Sequence, residues 1–261
     1  MTWLEVVEGE SPLVVALPHT GVDVPPDIRE ALNERGQALA DTDWHVDRLY
    51  ADLVPDVTTI RTAIHRYVID VNRGPEDVSL YPGANTTGLC PRIDFEGQPI
   101  YREGREPNAE AQAERLRRYH APYHEALQQQ LDRLRSRHGH VVLYDAHSIR
   151  SPLPFLFEGE LPNLNVGTFG GRSCHTDLST GVVDRCRRSG RSWVLNGRFQ
   201  GGWTTRHYGD PSAGVHALQM ELSQITYMMP QAPWEYADAS AQELRSVLRS
   251  ILEFLQTWSP S

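Results

Sequence analysis

The sequence predicts an α/β fold: one domain built on a mixed, largely parallel sheet with helices over both faces. Three observations predict it. Short β-branched or apolar runs recur along the chain, separated by segments whose apolar residues step by three and four. The run "VVLYDAHSIR" (141–150) begins as an uninterrupted apolar stretch, as a strand crossing the middle of a covered sheet would. The 261 residues, 39% of them hydrophobic, suffice for one sizeable core, and no repeat, low-complexity stretch or linker divides them.

The elements follow in order. "LVVAL" (13–17), set between Pro12 and Pro18, reads as a short buried strand. "DWHVDRLYADL" (43–53) reads as a helix, because Val46, Leu49, Tyr50 and Leu53 fall on one face. "VTTIR" (57–61) and "YVIDV" (67–71) are β-branched and read as strands. Residues 74–107 are rich in Gly and Pro and are expected to form a loop excursion, long enough to suggest a functional role. Asn108 is placed to cap a long helix whose buried stripe is Leu116, Tyr119, Tyr123, Leu127, Leu131 and Leu134, with a kink expected at Pro122. "HVVLYD" (140–145) is the central strand. "NLNVGTF" (163–169), "SWVLN" (192–196) and "VHALQMEL" (215–222) are further strands, with a helix over 174–190. Asp238 is expected to cap a last helix that buries Leu244, Val247, Leu248, Ile251, Leu252 and Leu255.

Composition excludes several functions. A net charge of −9 is the opposite of a nucleic-acid footprint, so an anionic small-molecule substrate would need locally placed arginines. Cys90, Cys174 and Cys186 are odd in number and share no Cys-x-x-Cys spacing, which suits a reducing cytoplasm rather than a disulfide framework. The acidic start "MTWLEVVEGE" is not the pattern of a secretion leader, and no apolar run approaches the roughly 18 residues of a membrane span.

Chemistry collects at the expected strand ends, where open α/β sheets place their sites. "PHTG" brings His19 to the rim. "YVIDVNRG" ends in Asp70, Asn72 and Arg73. "VVLYDAHS" ends in His147, and "ALQMELSQ" carries Glu221. Ser148 and His147 are adjacent and point to opposite faces of a strand, so a serine triad through them fails. Gly-x-Ser-x-Gly, Walker and Gly-x-Gly-x-x-Gly motifs are absent. Two histidines and one aspartate arriving from different strands suit a metal centre better, and Asp145, two residues from His147 on the same face, could orient it. A buried, unpaired carboxylate is costly, so Glu221 calls for a role. His45, His65, His120, His124 and His138 read as surface or helix-face residues.

The fragments "PHTG", "DTDWHVDRLY", "RYVIDVNR", "YDAHSIRS", "NGRFQGGWTTRHYG" and "QMELSQITYM" occur in that order over residues 10–230. Together they resemble the N-formylglutamate amidohydrolase family, deformylases that end one route of histidine degradation. The resemblance implies a fold related to zinc carboxypeptidases, with "DVNR" similar to a carboxylate clamp, "AHS" to the strand of the second zinc histidine and "MEL" to that of the catalytic glutamate. It implies one zinc per chain on His19, His147 and an acid. No Glu stands three residues after His19. Asp43 is therefore the expected acid, since the family pattern carries an Asp there, with Asp23 and Asp47 as alternatives and N-capping as the ordinary role of Asp43. The same ligand set also accommodates iron or cobalt. Glu221 is then the general base, Arg66 an oxyanion stabiliser, Asn72 and Arg73 the α-carboxylate clamp and Arg206 the partner of the side-chain carboxylate. Two other activities share these residues: hydrolysis of a different N-acyl amino acid or a carboxypeptidase-like reaction, and non-catalytic binding of acidic amino acids or metal.

Overall fold

In the computed structural model, which describes residues 2–260, a seven-stranded sheet runs through the protein. The elements are β1 (Leu4–Val7), β2 (Leu13–Leu17), α1 (Pro26–Ala31), α2 (Glu34–Gln37), α3 (Val46–Tyr50), β3 (Thr58–Thr62), α4 (Ala109–Arg115), α5 (Ala121–His138), β4 (Val141–Ile149), β5 (Leu164–Gly167), α6 (Thr176–Arg188), β6 (Trp193–Leu195), α7 (Trp203–Tyr208), β7 (Val215–Ser223) and α8 (Asp238–Thr257). The strand order is β1-β3-β2-β4-β7-β5-β6. The run β3-β2-β4-β7 is parallel, β1 and β5 pair antiparallel onto its two ends, and β6 runs parallel to β5. The mixed, mostly parallel sheet expected from the sequence is the one observed.

Both faces are covered because alternate residues of each central strand are apolar in both directions. Val142, Tyr144, Ala146, Leu218, Met220 and Leu222 pack with residues of α3, α6 and α8. Val141, Leu143, Val215 and Ala217 pack with Tyr123, Leu127, Leu131 and Leu134 of α5. On the α5 face the apolar character stops part-way along the strands. After Leu143 and Ala217 the next positions on that face are Asp145 and His147 of β4, and Gln219 and Glu221 of β7. The register pairs Asp145 with Gln219 and His147 with Glu221, so the four side chains share one face at the carboxyl end of the sheet.

Several local expectations are corrected. "YVIDV" forms turns rather than a strand: Val68, Ile69 and Val71 are buried in the α5-side core, and the backbone of Asp70 donates to Leu89 O instead of to a strand. Burial, not pairing, explains its β-branched residues. The helix expected over 43–53 shortens to α3, because His45 adopts left-handed backbone (φ 61°) and Asp43 lies outside it. Asn108 does cap, accepting from Ala111 N. Pro122 has no N–H to give, and the chain answers with a π-helical turn over Leu116–His120 in place of a kink. Asp238 is the first residue of α8 rather than its cap; it favours the positive end of the helix and pairs with Arg48 at 2.6 Å. No helix or strand occurs within 74–107 among the described residues, apart from isolated bridges at Ile93, Pro99 and Tyr101. Among the described residues, no helix is long and apolar enough to cross a membrane.

Candidate active site

Two neighbouring parallel strands and the segment before α3 converge on one spot. His19 follows β2, His147 closes β4 beside it, and the segment before α3 brings in Asp43, whose backbone N–H donates to His19 O. All three side chains are buried. His19 Nδ1 and His147 Nδ1 lie 3.1 Å apart, and Asp43 Oδ2 is 3.9 Å from the first and 3.4 Å from the second. Ligands of a tetrahedral zinc, each roughly 2.0–2.2 Å from the ion, stand about 3.3–3.6 Å apart. The three atoms could therefore share one metal ion.

The hydrogen bonds behind the cluster strengthen that reading. His19 donates from Nε2 to Asp70 Oδ1 at 2.7 Å, and Asp145 Oδ2 lies 2.9 Å from His147 Nε2. Neutral His19 then presents a lone pair at Nδ1, and His147 does so once the proton that Asp145 and Asp43 favour on it is displaced. Two lone pairs and a carboxylate oxygen, buried and facing one another, repel unless a cation or a proton lies between them. The remaining lone pairs of Asp43 are used: Oδ1 accepts from Arg66 Nη2 at 2.7 Å and Oδ2 from Ser148 N at 3.0 Å. Asp43 is thus neither a cap nor a free acid. Asp23 is exposed, and Asp47 pairs with Arg61 at 3.2 Å, so neither approaches the histidines.

Charges follow from this packing. Burial would raise the Asp43 carboxyl, but Arg66, His147 and His19 hold it below the usual range. For Asp70 burial is likewise overcome, by His19, Arg66 and Arg73, and its carboxyl lies far below the usual range. Burial lowers His19, helped by Arg66. Glu221 is different: burial pushes its carboxyl up to about 8, despite the opposing pull of His147. Its Oε2 accepts from Gln219 Nε2 at 2.9 Å, and it lines the same cavity as His19, His147, Arg66 and Arg73.

The other expected residues divide. Asn72 lines the cavity, but its amide is engaged: Oδ1 accepts from Thr204 N at 2.9 Å, and Nδ2 donates to Asp145 Oδ2 at 3.3 Å beside the His147 ring. It steadies the histidine. A Cβ at Gly202 would stand 2.4 Å from Asn72 Nδ2, so only glycine fits there while Gly202 N donates to Gln219 Oε1 at 2.6 Å. Arg73 keeps a position on the cavity wall, 3.5 Å from Asp70 Oδ2. Arg206 lies on α7 rather than on a loop, and the cavity wall does not include it; its guanidinium donates to Gly201 O and Leu80 O. Arg198 lines the cavity instead.

Sequence reasoning passed over Asp70 as a partner of His19, over Gln219 and over Arg198. The period of two on β7 was a usable signal for Gln219, two positions before Glu221. Two histidines read as surface residues are interior: His65 donates to Thr42 Oγ1 and accepts from Tyr67 N, and His120 donates to Arg73 O. His124, half-buried, donates to Val71 O, so His120 and His124 tie down the turn that carries Asn72 and Arg73.

Comparison with known proteins decides the family. The model of N-formylglutamate amidohydrolase matches residues 11–228. The chain belongs to the N-formylglutamate amidohydrolase family. It is 44% identical over 254 residues to the N-formylglutamate deformylase of Pseudomonas putida, covering 96% of this chain and 94% of the relative. With the N-formylglutamate deformylase of Pseudomonas aeruginosa it shares 45% over 258 residues, 98% of this chain and 96% of the other. The fold matches the crystal structure of N-formylglutamate amidohydrolase from Ralstonia eutropha JMP134 with a TM-score of 0.82 at 24% identity, over 98% of both chains. Membership in this family makes the protein an amidohydrolase, and the buried cluster lies within the matched segment.

If the cluster binds metal, Asp70 sets the tautomer and angle of His19. Asp70→Asn should then weaken metal affinity by about 10- to 100-fold, the usual cost of losing such a partner. Competition against a chromophoric chelator measures this, and unchanged affinity would remove Asp70 from that role.

Proposed function

We propose that the protein hydrolyses N-formyl-L-glutamate to formate and L-glutamate with a zinc ion held by His19, Asp43 and His147. One observation carries the reading: the two histidines of the ligand cluster, a raised buried carboxyl and three guanidinium groups line a single cavity. The substrate has one neutral amide to cleave and two carboxylates to hold, and the cavity offers partners for each. The donor set of two imidazoles and one carboxylate suits zinc and leaves room for a further ligand. When bound, such a metal acts as a Lewis acid that acidifies water and polarises the formyl oxygen.

The chain's own residues then have separate tasks. Glu221, held by Gln219, accepts a proton from the attacking water and returns it to the leaving nitrogen, so that formate and a free amine result. A base whose pKa lies near neutrality can do both. Arg66 is fixed by Asp43 and by the Phe95 ring 4.9 Å away; its Nε has no protein partner although buried. A developing oxyanion would satisfy it. Asp70 and Asp145 orient the two histidines, and Asn72 steadies the second.

Arg73 grips the α-carboxylate, because it sits on the turn shared with Asp70 and so beside the cluster. Formate release from N-formylglutamate, N-formylglutamine and N-formylmethionine, with N-acetylglutamate as a larger acyl group, tests the assignment. Wild-type protein should prefer N-formylglutamate. Arg73→Met should lower kcat/KM on the three formyl substrates alike, by about 10- to 100-fold for a lost charge-assisted hydrogen bond. A loss confined to N-formylglutamate would move Arg73 to the side-chain carboxylate.

A further inference from the structure

We propose that Arg198 is the residue that reads the side-chain carboxylate of the substrate, and that Arg206 acts only by bracing the wall behind it. The proposal rests on the substrate assignment above and adds the source of its selectivity for an acidic side chain.

Arg198 has no ion-pair partner among the described residues. Its Nε donates to Leu156 O at 3.0 Å and its Nη2 to Asn85 O at 3.3 Å, while Nη1 has no partner among the described residues. No carboxylate of the described residues lies within ion-pair distance of it, in a chain whose net charge is −9. The guanidinium is also flanked by rings, 5.0 Å from the Tyr81 centroid and 5.2 Å from that of Phe199. A half-buried cation fixed by two carbonyls and two rings, with donors left over on a cavity wall, is a ready-made partner for an anion. Burial and the like charge of Arg73 both depress its pKa, so an arriving carboxylate would relieve an existing penalty.

Position separates the two arginines. In N-formylglutamate the α-carboxylate is attached to the carbon that bears the scissile nitrogen, whereas the side-chain carboxylate lies two methylenes further out. Arg73 is joined through Asp70 to His19. Arg198 is held instead by Asn85 and Leu156, and none of its contacts is a residue of the ligand cluster. The nearer guanidinium therefore suits the α-carboxylate and the outer one the side chain.

Arg206 is spent elsewhere. It donates from Nε to Gly201 O at 2.9 Å and from Nη1 to Leu80 O at 3.1 Å, and it stacks on Tyr81 with 4.9 Å to the centroid. Tyr81 in turn donates to Gly201 O and accepts from Gln200 N. The ring is thus held between two arginines, one behind the wall and one in the cavity.

The test is the ratio of kcat/KM for N-formylglutamate over N-formylglutamine, measured in wild type, Arg198→Met, Arg198→Lys and Arg206→Met. A ratio within one preparation does not depend on how much of the protein is folded. Arg198→Met should lower it by about 10- to 100-fold, the worth of a charge-assisted hydrogen bond. Arg198→Lys, which keeps charge without the fork, should fall between. Arg206→Met should leave the ratio near the wild-type value while lowering activity on both substrates. An unchanged ratio in Arg198→Met, or a collapsed one in Arg206→Met, would overturn the proposal. If wild-type protein released formate from neither substrate, the substrate assignment itself would fall, and Arg198 with it.

Discussion

Glu221→Gln is expected to remove most turnover while leaving fold and metal content in place. The carboxyl is 6% exposed, held by Gln219, and shares the cavity with the ligand cluster, yet it is not one of the three clustered atoms. Glutamine has the same shape, and its amide oxygen can still accept from Gln219 Nε2. What it loses is the ability to take a proton. Loss of a general base costs roughly 10² to 10⁴ in rate, so kcat should fall by that factor with KM little changed. Burial already disfavours charge at this position, so the neutral amide should be tolerated without loss of stability. Thermal unfolding and metal analysis of the variant check both conditions. A rate near wild type would overturn the assignment, since the other carboxylate of the cavity, Asp70, is already committed to His19.

What could be read in the sequence follows a physical division. Apolar strands that stop abruptly at polar residues are visible in one dimension, which is why β2, β4 and β7 and the residues His19, His147 and Glu221 stood out. The expectation for Asp145 came from the period of two along β4, and the structure places it against His147. Contacts made across the fold leave no such trace. Asp70 meets His19 from a turn whose composition reads as a strand, and Arg198 enters the cavity because residues 80–87 and 155–157 close around it. Asn72, expected to share in the clamp, has its amide engaged by Thr204 and Asp145, both distant in sequence. Arg206, between glycines and aromatic residues, looked available. The carbonyls that occupy it come from Gly201 and Leu80, and Leu80 lies in a segment with no secondary-structure signal at all.

The second large effect concerns the ligand cluster. His147→Ala should reduce bound zinc from about one ion per chain to a small fraction, and activity should fall with it. The prediction follows from the atoms. With Nε2 of both histidines facing carboxylates, the two Nδ1 atoms 3.1 Å apart need a cation or a proton between them, and a metal ion can take that place. Removing one imidazole leaves two ligands, too few to hold a zinc site of this type. Asp43→Asn is the sharper variant, because it keeps the size of the side chain and its contact with Ser148 N while removing the charge that Arg66 balances. Asp23→Ala and Asp47→Ala, at positions away from the histidines, should bind zinc as the wild type does. Thermal unfolding gives an independent reading. A ligand that binds only the folded state stabilises it by RT ln(1 + [L]/Kd), about 2.7 kcal/mol at a hundredfold excess over Kd. Chelation should therefore lower the Tm of wild-type protein, and zinc should restore it. In His147→Ala and Asp43→Asn, chelator and zinc should both leave the Tm where it is. Full zinc occupancy in either variant, or a wild-type Tm indifferent to chelation, would place the metal away from this cluster.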